Sequence, residues 1–269
     1  MKKKFLLLIA FFVAGFNLAE IVLAQSGKEQ PVQEVFQTET VYPQERGEFQ
    51  LTMGYTLRKQ FGRSSAQLPV FLEYGVTDKW QIGFQWNALN INNAAGDVQF
   101  GTGDLSLGTK YSFMNVGNSN THVALGFELG LPSGDRSKEM SEGQVEYEPF
   151  VVIAKDFPQF KHLQIFTQVG LGIIQRPVRV TEGEDKEPVA HELNWNTGFF
   201  IPLQQWVITT EFHWSTNRWN HGGTDNHRAL TPGVIWRTPA NWEIGVGAPI
   251  SLTQDSPESR LIFKLTKEF

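Results

Sequence analysis

The sequence contains no cysteine, which excludes disulfides, thiolate metal sites and cysteine nucleophiles. That absence leaves the compartment open, because an oxidising periplasm permits disulfides without requiring them. Charge is also sparse: 19% of residues are Asp, Glu, Lys or Arg, and the net charge is −5. A balance so mild gives no reason to expect a nucleic-acid partner. Beyond Ala24 there is no apolar stretch near the ~20 residues that a transmembrane helix needs. The chain that follows is therefore either soluble and exported, or it crosses a membrane as a barrel.

What is present is glycine, at 25 residues, and aromatics, at 13%; together they suit many short strands separated by turns. Lys2, Lys3 and Lys4 precede an almost unbroken apolar run from Phe5 to Leu18, and Val22-Leu23-Ala24 supplies a cleavage site before Gln25. Residues 1–24 are read as a signal peptide rather than an uncleaved anchor. The run is short for a ~30 Å hydrocarbon core, and Asn17 and Glu20 interrupt it. Residues 25–46 are polar, carry Pro31 and Pro43 and keep no steady period. They are read as a mostly extended periplasmic N-terminal segment, and whether they plug a barrel is left open.

From Gly47 onward the hydrophobic period becomes two, the period of a strand with one dry and one wet face. In the last stretch Leu261, Phe263, Leu265 and Phe269 share one face while Arg260, Lys264, Thr266 and Glu268 share the other. Strands are expected near 48–58, 67–76, 80–89, 104–114, 121–131, 146–155, 161–173, 189–200, 205–215, 228–238, 241–250 and 258–269. Most have about the ten residues a tilted strand needs to cross a bilayer. Tight links such as Thr77-Asp78-Lys79 alternate with longer polar loops near 90–103, 132–145, 174–188, 216–227 and 251–257, as in barrels with short periplasmic turns and long outer loops. That order puts both chain ends in the periplasm.

A secreted β-sandwich would also alternate. Two features favour the barrel. Trp80, Trp206, Trp236 and Trp242 mark one rim of the apolar face, and Trp86 and Trp214 mark the other; amphipathic rings prefer the membrane–water interface. The opposite face reads as polar and glycine-rich, whereas a sandwich needs it hydrophobic. The expected fold is an all-β, up-and-down antiparallel transmembrane barrel of about twelve strands over residues 47–269, in the outer membrane of a Gram-negative bacterium.

Gly101-Thr-Gly-Asp-Leu105 with Gly108-Thr-Lys-Tyr111, and Gly126-Phe-Glu-Leu-Gly-Leu-Pro-Ser-Gly-Asp135 with Tyr147-Glu-Pro149 and Lys155-Asp156, resemble the outer-membrane family named for a MetA pathway of phenol degradation. The resemblance spans roughly the barrel, with its sharpest motifs within 101–156. It implies a transport role, brings no catalytic residues, and does not make phenol the ligand. Phe269 resembles the C-terminal aromatic by which the barrel-assembly machinery recognises its clients.

On the wet face, Glu73, Lys110, Glu128, Glu211 and Lys264 fall near mid-height. Ionisable groups at membrane depth must face water or one another. They are read either as a charged constriction that selects small solutes or as an ion-pair network bracing a filled barrel. The inward glycines either widen a solute path or let the wall bend. His213-Trp-Ser215 has the His-x-Ser spacing of outer-membrane lipid hydrolases, but Phe212 and Trp214 claim the lipid face and turn His213 inward; no enzyme is expected. His221, Asp225 and His227 are read as polar loop residues rather than a metal site, and the run from Glu182 to Glu187 as a solvated loop rather than a calcium bridge to lipopolysaccharide. Gly101-x-Gly103-Asp104 lacks the strand-to-helix context of a nucleotide loop. No cofactor or metal is expected. The expected partners are outer-membrane lipid and lipopolysaccharide, the assembly machinery and an unidentified small solute, around a monomer.

Overall fold

The computed structural model describes residues 31–60, 63–94, 97–138, 140, 141, 143–175, 191–217, 225–253 and 259–269. The signal-peptide reading, His221 and the acidic run 182–187 lie outside these residues. The strands are β1 (Phe49–Gln60), β2 (Arg63–Thr77), β3 (Trp80–Ala94), β4 (Asp97–Gly101), β5 (Leu105–Phe113), β6 (Thr121–Leu131), β7 (Val145–Phe157), β8 (Leu163–Gln175), β9 (Glu192–Leu203), β10 (Trp206–Thr216), β11 (Asn226–Arg237), β12 (Trp242–Gly247), β13 (Ile250–Ser251) and β14 (Ser259–Glu268). They form a closed antiparallel barrel of twelve strands. Each wall strand pairs with its sequence neighbours, β4 extends the β3 edge, and β13 continues the β12 side of β11. The ring closes where β1 pairs β14, from Gln50–Glu268 to Lys59–Ser259. Closure leaves no unpaired edge, the condition for crossing hydrocarbon with strands.

Strand boundaries follow the alternation to within a few residues, apart from β2 and β3. These two run past the expected 67–76 and 80–89, because the first hairpin continues its pairing as far as Gln60–Arg63. Left-handed backbone recurs in the tight turns, at Lys161, His162 and Gln204 and at Asn115, Asn120 and Asn241, whose φ are 52°, 55° and 56°. Asparagine tolerates this conformation because its short polar side chain bonds locally.

Parity divides the wall as the sequence indicates. Trp80, Trp86, Trp206 and Trp236 are exposed on the outer face, with Trp214 and Trp242 half-buried beside their neighbours. Trp206 and Trp236 stack across β10 and β11 with centroids 6.1 Å apart. Trp195, exposed on the same face, joins Trp214 edge-on at 6.2 Å.

The inner face is less uniformly polar than expected. Phe150, Val152, Ala154, Phe166, Phe200 and Val207 sit at inward parity and are buried. They form a cluster with Val32, Val35, Phe36 and Val41, four residues that precede the first strand. Residues 31–46 thus lie inside the ring of strands. Apolar side chains on a wet wall need such a cover, since leaving each exposed would forgo roughly 1.5–3 kcal/mol of burial.

Candidate functional site

The lumen of the barrel and the segment that occupies it form the candidate site. The segment enters beside β2, where the chain must pass very close to the wall. A Cβ on Gly75 would stand 1.8 Å from the carbonyl oxygen of Glu45, so only glycine leaves room. There the Gly47 N–H donates to the Gly75 carbonyl at 2.8 Å and the Gly75 N–H to that of Glu48 at 3.0 Å. Gly47 has φ +86°, which turns the chain from the lumen into β1 at a position where a side chain would be strained.

From that anchor the segment arches across the lumen and returns. The Gln44 N–H donates to Gln81 on β3 at 2.9 Å. Gln164 on β8 donates to the Tyr42 hydroxyl at 2.7 Å, and burial, followed by the nearby Asp156 carboxylate, raises the phenol pKa above its ordinary value. At the entrance Glu45 is also raised, first by partial burial and then by Glu48 and Asp78. On the returning limb the Gln33 N–H donates to Glu243 on β12 at 3.0 Å.

Of the five charged lumen candidates, three bind the segment directly. Glu211 accepts the backbone N–H of Phe36 at 2.8 Å, that of Gln37 at 2.9 Å and the Thr38 hydroxyl at 2.8 Å. Its side chain is fully buried. One carboxylate thereby holds the apex of the arch with charge-assisted hydrogen bonds, the stronger kind. Lys264 donates to Glu34 and to the Val35 carbonyl, both at 2.6 Å. Lys110 donates to Glu39 at 3.1 Å and to the Thr40 carbonyl at 2.8 Å. Glu73 instead receives Gln50 at 2.7 Å and a bond from Gln81. Glu128 faces the open part of the lumen.

The glycines of the far wall acquire a specific role. A Cβ on Gly233 would come within 2.2 Å of the Phe36 ring, and one on Gly247 within 2.8 Å. These positions form a socket for Phe36, so their small size serves the inserted ring. Beside the segment a cavity of about 290 Å³ stays open, lined by segment residues such as Gln37 and Glu39 and by Glu128, Glu148, Asn194 and His213 of the wall. That is room for a few waters or a small solute.

His213 points inward and its Nδ1 lies 2.6 Å from the Asn196 side-chain oxygen. Ser215 is likewise inward and buried, away from the lipid that a hydrolase would attack. Asp225 pairs with Asn217 in the loop while His227 sits on β11, and no three His, Asp or Glu among the described residues are placed to hold a metal ion. Neither the segment's entry nor its contacts were specified by the sequence reading. One signal was available: apolar residues such as Phe166, Phe200 and Val207 at inward parity, which require an apolar partner inside the ring.

No protein-family model and no curated protein matches the chain. Solved structures do. An outer membrane channel from Pseudomonas putida F1 superposes with a TM-score of 0.60 at 11% identity, covering 87% of this chain and 100% of that one. The KdgM porin gives 0.53 at 11% identity, covering 81% and 99%, and the NanC porin 0.53 at 8%, covering 81% and 97%. At such identities the likeness is one of fold. The protein has the architecture of outer-membrane porins and channels.

Proposed function

We propose that this protein is an outer-membrane channel that passes small solutes passively, and that residues 31–46 close its lumen at rest. The observation that carries this reading is the apex clasp, in which one buried carboxylate of the wall, Glu211, holds three successive residues of the inserted segment. A barrel of twelve strands is wider than the eight or so whose interior side chains alone can fill. Its interior must therefore be wet or plugged, and here the plug is held largely through polar contacts that water could replace. The Pseudomonas channel and the porins named above support the reading.

On this reading residues 1–24 are a cleaved signal peptide, both chain ends are periplasmic, and Phe269 is the assembly signal. The monomer sits in outer-membrane lipid and lipopolysaccharide through its tryptophan belts. The solute is small and its selection falls to the lumen charges. No catalytic role is assigned.

A second reading, a non-conducting structural barrel, is favoured by the apolar seal that Val32, Val35, Phe36 and Val41 make with the wall. Planar-bilayer recording separates the two. The mature chain is expected to give small or infrequent openings, and a variant lacking residues 31–46 larger and persistent ones. Silence from both refutes the channel and leaves the structural barrel.

A further inference from the structure

Two arginines stand side by side on the inner wall with no counter-charge among the described residues. Arg58 and Arg260 are direct cross-strand partners on β1 and β14. They share the inward parity of Gln50, Thr52 and Thr266, which are buried within the lumen wall. The Nε of each is buried with no hydrogen-bond partner, and so is the Nδ1 of His227 on β11. Arg260 and His227 lie within electrostatic reach of His213, which itself lines the open cavity. Arg260 thus links the arginine pair of β14 and β1 to the two inward histidines of β10 and β11.

Such a pairing is costly as it stands. Like charges directly opposite on adjacent strands destabilise a sheet, and a buried donor left unmade costs about 1–3 kcal/mol. Among the described residues, three lumen carboxylates are engaged elsewhere. Glu211 is taken by the apex of the arch, Glu34 by Lys264, and Glu73 by Gln50 and Gln81. Glu146 and Glu148 belong to β7, which lies across the ring from β14 in the strand order. Neither arginine makes an ion pair with another described residue. Buried unsatisfied donors in a cluster call for an occupant, and planar guanidinium forks match oxyanions by shape as well as charge.

We propose that Arg58 and Arg260 form a lumenal binding site for an oxyanion, a carboxylate- or phosphate-bearing small solute, with His213 and His227 at its margin. The proposal rests on the channel reading for its biological use, since it names the class of solute the channel would favour. The site itself can be tested without conduction.

The full mature chain in detergent at low ionic strength, where charge recognition is least screened, is titrated calorimetrically with inorganic phosphate and separately with succinate, choline serving as a cationic control. One-to-one binding of at least one oxyanion is expected, and whichever binds tighter identifies the source chemistry. In R58Q/R260Q affinity should fall more than tenfold. In R58K/R260K, which keeps the charge and loses the fork, it should fall by less; this pair also serves if the glutamine pair does not assemble. In the wild type, bound anion should protect Arg58 and Arg260 selectively from phenylglyoxal, read by mass spectrometry. Absence of binding by both anions, equal affinity in R58Q/R260Q, or protection spread over other arginines overturns the site. A barrel that binds succinate yet never conducts would refute the channel and keep the site. A conducting barrel that binds neither anion would do the reverse.

Discussion

Replacing Glu211 by alanine removes the acceptor of three hydrogen bonds while leaving the wall's own pairing intact. Its partners are the Phe36 N–H at 2.8 Å, the Gln37 N–H at 2.9 Å and the Thr38 hydroxyl at 2.8 Å. Bonds to a charged acceptor contribute about 1.5–3 kcal/mol each when nothing replaces them. The lumen holds an open cavity of about 290 Å³ beside the arch, so water will take over part of the lost bonding. An allowance of about 1 kcal/mol per bond gives roughly 3 kcal/mol, the lower end of what removal of a charged partner costs. At ~1.4 kcal/mol per decade, the equilibrium between seated and released apex shifts about a hundredfold. Two assays read that shift. Hydrogen exchange should show the amides of Phe36 and Gln37 losing about two orders of magnitude of protection, while amides of β10 keep theirs. Bilayer recording should show the fraction of time open rising in step. Unchanged protection at Phe36 and Gln37 in Glu211→Ala would refute the clasp as the feature that seats the segment.

Lys264→Met removes the contacts to Glu34 and Val35 and one lumenal positive charge. The segment should loosen by about tenfold, and the reversal potential in a salt gradient should move toward cation selectivity. Gly233→Val would drive a side chain into the Phe36 ring. It should release the segment without touching a polar contact, seen as more frequent openings with an unaltered heat-modifiable barrel on gels. Brominated lipids should quench tryptophan emission in vesicles, because Trp80, Trp86, Trp206 and Trp236 face outward. Quenching confined to acyl chains brominated near the headgroup places the belts at the interfaces, and no quenching by any brominated lipid would remove them from the lipid face.

Much of the wall was legible in the sequence because a strand's geometry is local. Successive side chains alternate in face, so the parity of Leu261, Phe263 and Leu265 against Arg260 and Lys264 already separated lipid from lumen. It also turned His213 inward and spaced the belt tryptophans at the strand ends. The same rule puts each of the paired arginines on the wet face. Their adjacency was not, since it depends on the register between the first and last strands, some 200 residues apart, and register is a property of the closed ring.

Residues 31–46 are where local reasoning stops. They have no hydrophobic period of their own, because an arch threaded through a lumen meets a different wall strand every few residues: Gln81 at Gln44, Gln164 at Tyr42, Glu211 at Gln37, Glu243 at Gln33. Each contact joins positions far apart in the chain, and only closure of the barrel brings them within reach. The sequence by itself determined the alternation, the two faces and the strand count. The tertiary structure decided what fills the ring, because the partners of an irregular segment are chosen by the cavity that surrounds it and not by the neighbours it has in the chain.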